Sequence, residues 1–135
     1  MKKNLNSIFA AAVFATFIFL LVGFTTTQEE WDVPEKYKIM KNPYAGDDED
    51  GIGEELYMKH CKSCHGKEGY GDGTKANELE TEMRELSDPD LQGQSDGSLF
   101  YKSIIGRDEM PNFEKKIVDE EDRWLIVNFI RTLEE

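Results

Sequence analysis

The run Cys61-Lys62-Ser63-Cys64-His65 constrains this chain more than any other feature, and its two cysteines are the only two in 135 residues. A CxxCH pattern is the pattern of c-type haem attachment. The chemistry needs this spacing. One helical turn brings both thiols toward one porphyrin edge, where each adds to a vinyl group as a thioether. His65 then lies beneath the ring and offers Nε2 to iron. Its Nδ1–H is left to donate to a nearby backbone carbonyl, which fixes the ring orientation. Whatever fold forms must wrap around a flat apolar group.

The same five residues allow rival readings. A thioredoxin-like redox pair needs a βαβ context, and no segment here alternates as a strand for long enough. Zinc could draw on His60-Cys61 and Cys64-His65, but adjacent residues do not converge easily on one tetrahedral centre, and no second ligand pair lies further along the chain. A structural disulfide between Cys61 and Cys64 is the remaining alternative.

Apolar residues make up 39% of the chain, and many lie in the first 24 positions. The rest has little with which to build a core, and a small domain in that position needs a cofactor, metal or disulfide. Sixteen basic and 28 acidic residues give a net charge of −12. The first 27 residues contain Lys2 and Lys3 and no acid, so the remainder carries −14. Such a surface repels nucleic-acid phosphates and anionic headgroups and favours a partner with a basic docking face, although the charge also serves plain solubility.

Residues 8–24 form an uncharged apolar run behind Lys2 and Lys3. This reads as an export signal or a retained membrane anchor within segment 1–27, which predicts that the rest lies in the periplasm or on the outer face of the cytoplasmic membrane. A buried core helix is the structural alternative. Residues 28–50 read as a linker interrupted by Pro34 and Pro43, and Trp31, Tyr37 and Tyr44 predict that part of it lies against the folded domain. The domain itself is 51–135. Spacing predicts a helix from Ile52 to about Lys62, a glycine-rich loop from Gly66 to Gly73, and a short helix from Asn77 to Leu86 that stops before Asp88-Pro89. It further predicts a helix from Asp96 to Ile105 capped by Ser95 and ended by Gly106. A last helix, capped by Asp119, carries the stripe Ile126, Phe129, Ile130 and Leu133.

With these motifs in order, 51–135 resembles a class I cytochrome c. Gly53, Tyr57 and CKSCHG stand where that family keeps a glycine, an aromatic residue and the haem motif; GYGDG resembles its next loop, and DRWLIVNFIRTL its closing helix. The resemblance implies an all-α cytochrome c fold: three to five short helices around one covalent haem, with the first and last helices crossed at Gly53 against Ile126 and Phe129. GRDEMPNF resembles the family's sixth-ligand loop, which implies Met110 as the second axial ligand. Met110 also lies in a polar loop beside Pro111, on no apolar stripe, 45 residues after His65. Met40, Met58 and Met83 read as packing or surface residues. Where many relatives have a proline whose carbonyl accepts from the proximal histidine, this chain has Thr74. His60 competes as a nitrogen ligand, but it precedes Cys61 directly and so lies on His65's side of the ring.

The implied function is single-electron transfer through haem c, with Cys61 and Cys64 as attachment points and His65 and Met110 on iron, in a respiratory chain with redox-partner proteins. A haem peroxidase or sensor would need an open or labile sixth position. A tethered haem subunit of a larger respiratory complex would suit the aromatic linker.

Overall fold

The structure, a computed structural model, describes residues 31–46 and 48–134. The run 8–24 and the segment 1–27 therefore fall outside the described residues, as do 28–30 and 47 of the linker. Six α-helical segments follow one another: α1 (Glu35–Lys38), α2 (Ile52–His60), α3 (Lys62–His65), α4 (Pro89–Gln92), α5 (Asp96–Phe100) and α6 (Glu120–Arg131). Five of them lie in 51–134. A 3-10 turn spans Ala76–Glu78, and a π-turn, Tyr101–Ile105, continues α5. No strand occurs among the described residues and the fold is all-α; an isolated bridge joins Arg107 to Met110.

The helix ends are set by local chemistry. Asp119 caps α6 by accepting from the Glu121 amide at 3.0 Å. Glu120, Glu121 and Asp122 fill the first turn of α6 and Arg131 its last, each charge matching the helix dipole. Ser95 Oγ caps α5 through the Ser98 amide at 3.2 Å. Asp88 caps α4 through the Asp90 amide at 2.7 Å, with Pro89 at the first helical position. The Asp88-Pro89 pair therefore opens a helix as well as closing the segment before it.

α2 and α6 cross at the centre of the fold. Tyr57, Ile104, Trp124, Ile126 and Val127 are the largest side chains with almost no exposure, and Phe100 stacks on Trp124 with ring centroids 4.2 Å apart. At the crossing, a Cβ on Gly53 would sit 2.6 Å from the Leu125 carbonyl carbon and closer still to its oxygen. Only glycine permits that approach. The backbone of Leu125 meets Gly53, rather than Ile126 or Phe129; Phe129 instead stacks on Tyr57, with centroids 4.9 Å apart.

Asn77 to Leu86 does not form the helix that its spacing predicts. Only Ala76–Glu78 coils, as a 3-10 turn. Its backbone is drawn to partners elsewhere: the Glu80 and Thr81 amides donate to the Glu109 carboxylate at 3.1 and 2.8 Å, and the Leu86 amide to the Gly69 carbonyl at 2.7 Å. These tertiary bonds outweigh a modest helix propensity. Gln92, itself buried, joins this region to the last helix, its Nε2 donating to the carbonyls of Leu86 (2.7 Å) and Ile130 (2.9 Å).

Residues 31–46 lie along α5, the π-turn and α6. Val33 is buried, and Tyr37 stacks on Tyr101 at 4.7 Å. Asn42 Nδ2 donates to Asn128 Oδ1 at 2.7 Å, while Asn128 Nδ2 donates to the Tyr44 carbonyl at 2.6 Å.

Candidate functional site

Cys61 is the hinge between α2 and α3, and one turn of chain gathers the motif. The Cys61 carbonyl accepts from the amides of Cys64 at 3.1 Å and His65 at 3.0 Å. The glycine-rich loop then folds back on that turn. Gly71 N donates to His65 O (2.8 Å), Gly73 N to Cys64 O (3.2 Å) and Lys75 N to Ser63 O (2.7 Å). From α2, the buried Tyr57 hydroxyl donates to the Gly66 carbonyl at 2.9 Å. Burial pushes the Tyr57 phenol up, with Cys61 and Asp72 adding to it, so it stays protonated and keeps donating. The sequence signals Tyr57 as an aromatic; the contact that its hydroxyl makes required the structure.

Both thiols are free, Cys61 buried and Cys64 half-buried. Burial, with Cys64 beside it, pushes the Cys61 thiol up to about 12. A redox-active pair needs the opposite, a thiolate stabilised at neutral pH. Among the described residues, no group of three His, Cys, Asp or Glu side chains could hold a metal ion, which also disfavours zinc. His65 is held below the ordinary histidine range by burial, so its imidazole is neutral and has a lone pair to offer. Its Nδ1 is buried with no hydrogen-bond partner. The expected bond to the Thr74 carbonyl is therefore not made; Thr74 itself is exposed, on a loop whose amides are already tied to the motif.

His60 ends α2, one residue before Cys61, with its ring 5.8 Å from that of Phe113. Partial burial, then Lys59 and Lys116, lower its pKa. Trp124 Nε1 and Arg123 Nε are also buried without partners, a feature with no sequence signal.

Met110 ends a tight turn. Its amide donates to the Arg107 carbonyl at 2.8 Å, and Asp108 adopts a left-handed φ of 48°. Phe113, buried, fixes the far side by donating its amide to Ile104 O at 2.8 Å. The half-buried Met110 side chain packs against the same apolar cluster that includes Cys61, Tyr57, Phe113 and Trp124. Met40 and Met58 also pack on this cluster, whereas only Met110 comes from a turn.

These residues fit a covalently held haem: two unpaired thiols on one turn, a neutral imidazole next to Cys64 in sequence, and a thioether on the apolar cluster that includes Cys61. Consistent with that chemistry, the family model described as Cytochrome C oxidase, cbb3-type, subunit III matches residues 49–130. No curated protein matches the chain.

Proposed function

The chain belongs to the family of cytochrome c oxidase, cbb3-type, subunit III, and on that premise we propose that it holds one haem c through Cys61 and Cys64, with His65 and Met110 on iron, outside the cytoplasmic membrane. Residues 49–130 are a class I c-type cytochrome domain, whose role is electron transfer between redox proteins. When bound, the haem supplies a one-electron ferrous–ferric couple. The protein does the rest. Cys61 and Cys64 anchor the ring at one edge, and His65 presents a neutral nitrogen. Met110 offers a soft, neutral sulfur that favours the ferrous state and keeps small oxidants off the metal. The apolar cluster around Cys61 excludes water.

The observation that carries this reading is the motif's own state: two free thiols on one turn beside a neutral histidine whose Nδ1 has no other partner. The family's description as an oxidase subunit favours a partner within a larger respiratory assembly, and the run 8–24 offers a tether to it. Among the described residues no helix is long and apolar enough to cross a membrane. The −14 charge beyond residue 27 suits a partner with a basic docking face, and association then slows as salt increases.

The test is chemical. Protein purified from its native membrane is expected to retain one haem per chain through denaturation and acid–acetone extraction, and to titrate no free thiol. The ferric protein is expected to show the weak far-red sulfur-to-iron band. Haem that washes out would remove the attachment claim, and a missing band would remove Met110 from iron.

A further inference from the structure

The segment 31–46 reaches the turn that carries Met110. The Arg107 guanidinium lies over the Trp31 ring, 4.5 Å from its centroid. Lys102, in the π-turn, lies 6.0 Å from the same ring and donates to Gln94 Oε1 at 2.7 Å. Arg107 also pairs with Asp108 at 3.6 Å and bridges to Met110 through the backbone. One arginine thus joins an aromatic residue from before the haem domain to the turn that bears the sixth-ligand candidate. The same turn is also tied through the Glu109 carboxylate, which accepts from the Glu80 and Thr81 amides at 3.1 and 2.8 Å. It follows a π-turn, a form frequent at functional sites, and contains a left-handed aspartate.

The rest of the segment makes that contact dependable. Tyr37 stacks on Tyr101 at 4.7 Å, and Asn42 and Tyr44 bond to Asn128 on α6. A Cβ on Gly97 would sit 2.8 Å from the Met40 carbonyl and closer to that of Tyr37, so the segment is pressed onto α5. Trp31 is delivered to Arg107 by a chain fixed at several points, which lowers the entropy lost in forming the pair.

We propose that Trp31 is a positioning residue for the sixth ligand: its ring, stacked with Arg107, holds the Arg107–Met110 turn in the conformation that keeps the Met110 sulfur on iron. This rests on the assignment of Met110 as a ligand. The stack is a cation–π contact in a partly exposed place, and its loss raises the population of the open turn about fivefold.

The experiment uses the haem-loaded full chain and five variants: Trp31→Ala, Trp31→Tyr, Arg107→Gln, the Trp31→Ala/Arg107→Gln double variant and Asp119→Ala. Three quantities are read: the far-red sulfur-to-iron band, the rate at which cyanide binds ferric iron, and amide exchange at Met110. Trp31→Ala and Arg107→Gln are each expected to speed cyanide binding and Met110 amide exchange about fivefold, and the double variant no more than either alone. Trp31→Tyr, which keeps a ring face, is expected to restore most of the wild-type rate. Asp119→Ala, which removes the cap of α6 and touches neither the segment 31–46 nor the turn, is expected to lower unfolding resistance without changing the cyanide rate. Unchanged rates in Trp31→Ala and Arg107→Gln, with the wild-type band present, overturn the role of Trp31 and leave Met110 in place. An equal rise in Asp119→Ala also overturns it, since general loosening would then suffice. A wild type without the band removes the Met110 assignment and this proposal together. Should Trp31→Ala fail to fold, Arg107→Gln and Trp31→Tyr carry the same comparison.

Discussion

Gly53→Ala tests the crossing on which the whole fold depends. The added methyl would lie 2.6 Å from the Leu125 carbonyl carbon, closer to its oxygen, and 2.8 Å from Asp48 Oδ2. Two of these atoms are backbone of α6, which cannot rotate away as a side chain end could. Asp48 is not free to yield either, because its carboxylate accepts from the Gly53 amide at 3.1 Å through both oxygens. Alanine gains about 1 kcal/mol in helix propensity over glycine, whereas overpacking a rigid site costs about 3 kcal/mol at the upper end of its usual range. The net loss is about 2 kcal/mol, or roughly 10 °C in melting temperature for a domain of this size. Urea unfolding of the haem-loaded protein, followed by far-ultraviolet circular dichroism, measures it. Gly46→Ala is the control: its φ of 84° is strained for alanine, but nothing lies within 4 Å, and the loss is about 1 kcal/mol. If Gly53→Ala is neutral, or loses no more than Gly46→Ala, the close crossing of α2 and α6 is not what holds them together.

Three further outcomes follow from named contacts. Tyr57→Phe removes the hydroxyl that bonds Gly66 O at 2.9 Å and leaves a buried carbonyl unpaired, a loss of about 1–2 kcal/mol in the same urea assay. Bonds from Thr81 and Glu80 hold the Glu109 carboxyl below its ordinary value of 4.5; its contribution to stability is therefore complete above pH 4.5 and lost as pH falls through the lower folded value. A carbon-detected NMR titration placing the Glu109 midpoint at or above 4.5 would contradict this. Met110→Ala is expected to keep the covalent haem, lose the far-red band, lower the reduction potential and bind carbon monoxide or cyanide, as read by spectroelectrochemistry and ligand titration.

Much of the molecule was legible because its signals are local. Asp119 and Ser95 are readable as caps and act as such, and Ile126, Phe129 and Ile130 of the predicted stripe meet the core from the last helix, while Leu133 packs there from just beyond its end at Arg131. The CKSCH spacing likewise places two thiols on one turn without any knowledge of the rest of the chain. What escaped is what depends on distant partners. Leu79, Met83 and Leu86 have helical spacing, yet the Glu109 carboxylate and the Gly69 carbonyl take the amides that a helix would need. Gln92 looks like an ordinary polar residue until Leu86 and Ile130 arrive on either side of its amide. Asp88-Pro89 was readable as a stop and proved also to be a start, since the same dipeptide can serve both.

The partners that close this fold are made late in synthesis. Leu125 at the Gly53 crossing, Phe129 beside Tyr57, Asn128 against Tyr44 and the Ile130 carbonyl on Gln92 all belong to α6. Until those residues are present, Gly53, Tyr57, Tyr44 and Gln92 lack these partners. Cys61 ends 7% exposed in the same buried cluster as Trp124, Ile126, Val127 and Ile130 of α6, so its thiol is more open to a haem vinyl group before α6 docks than after. The order of residues along the chain thus places the reactive motif ahead of the helix that completes its cluster.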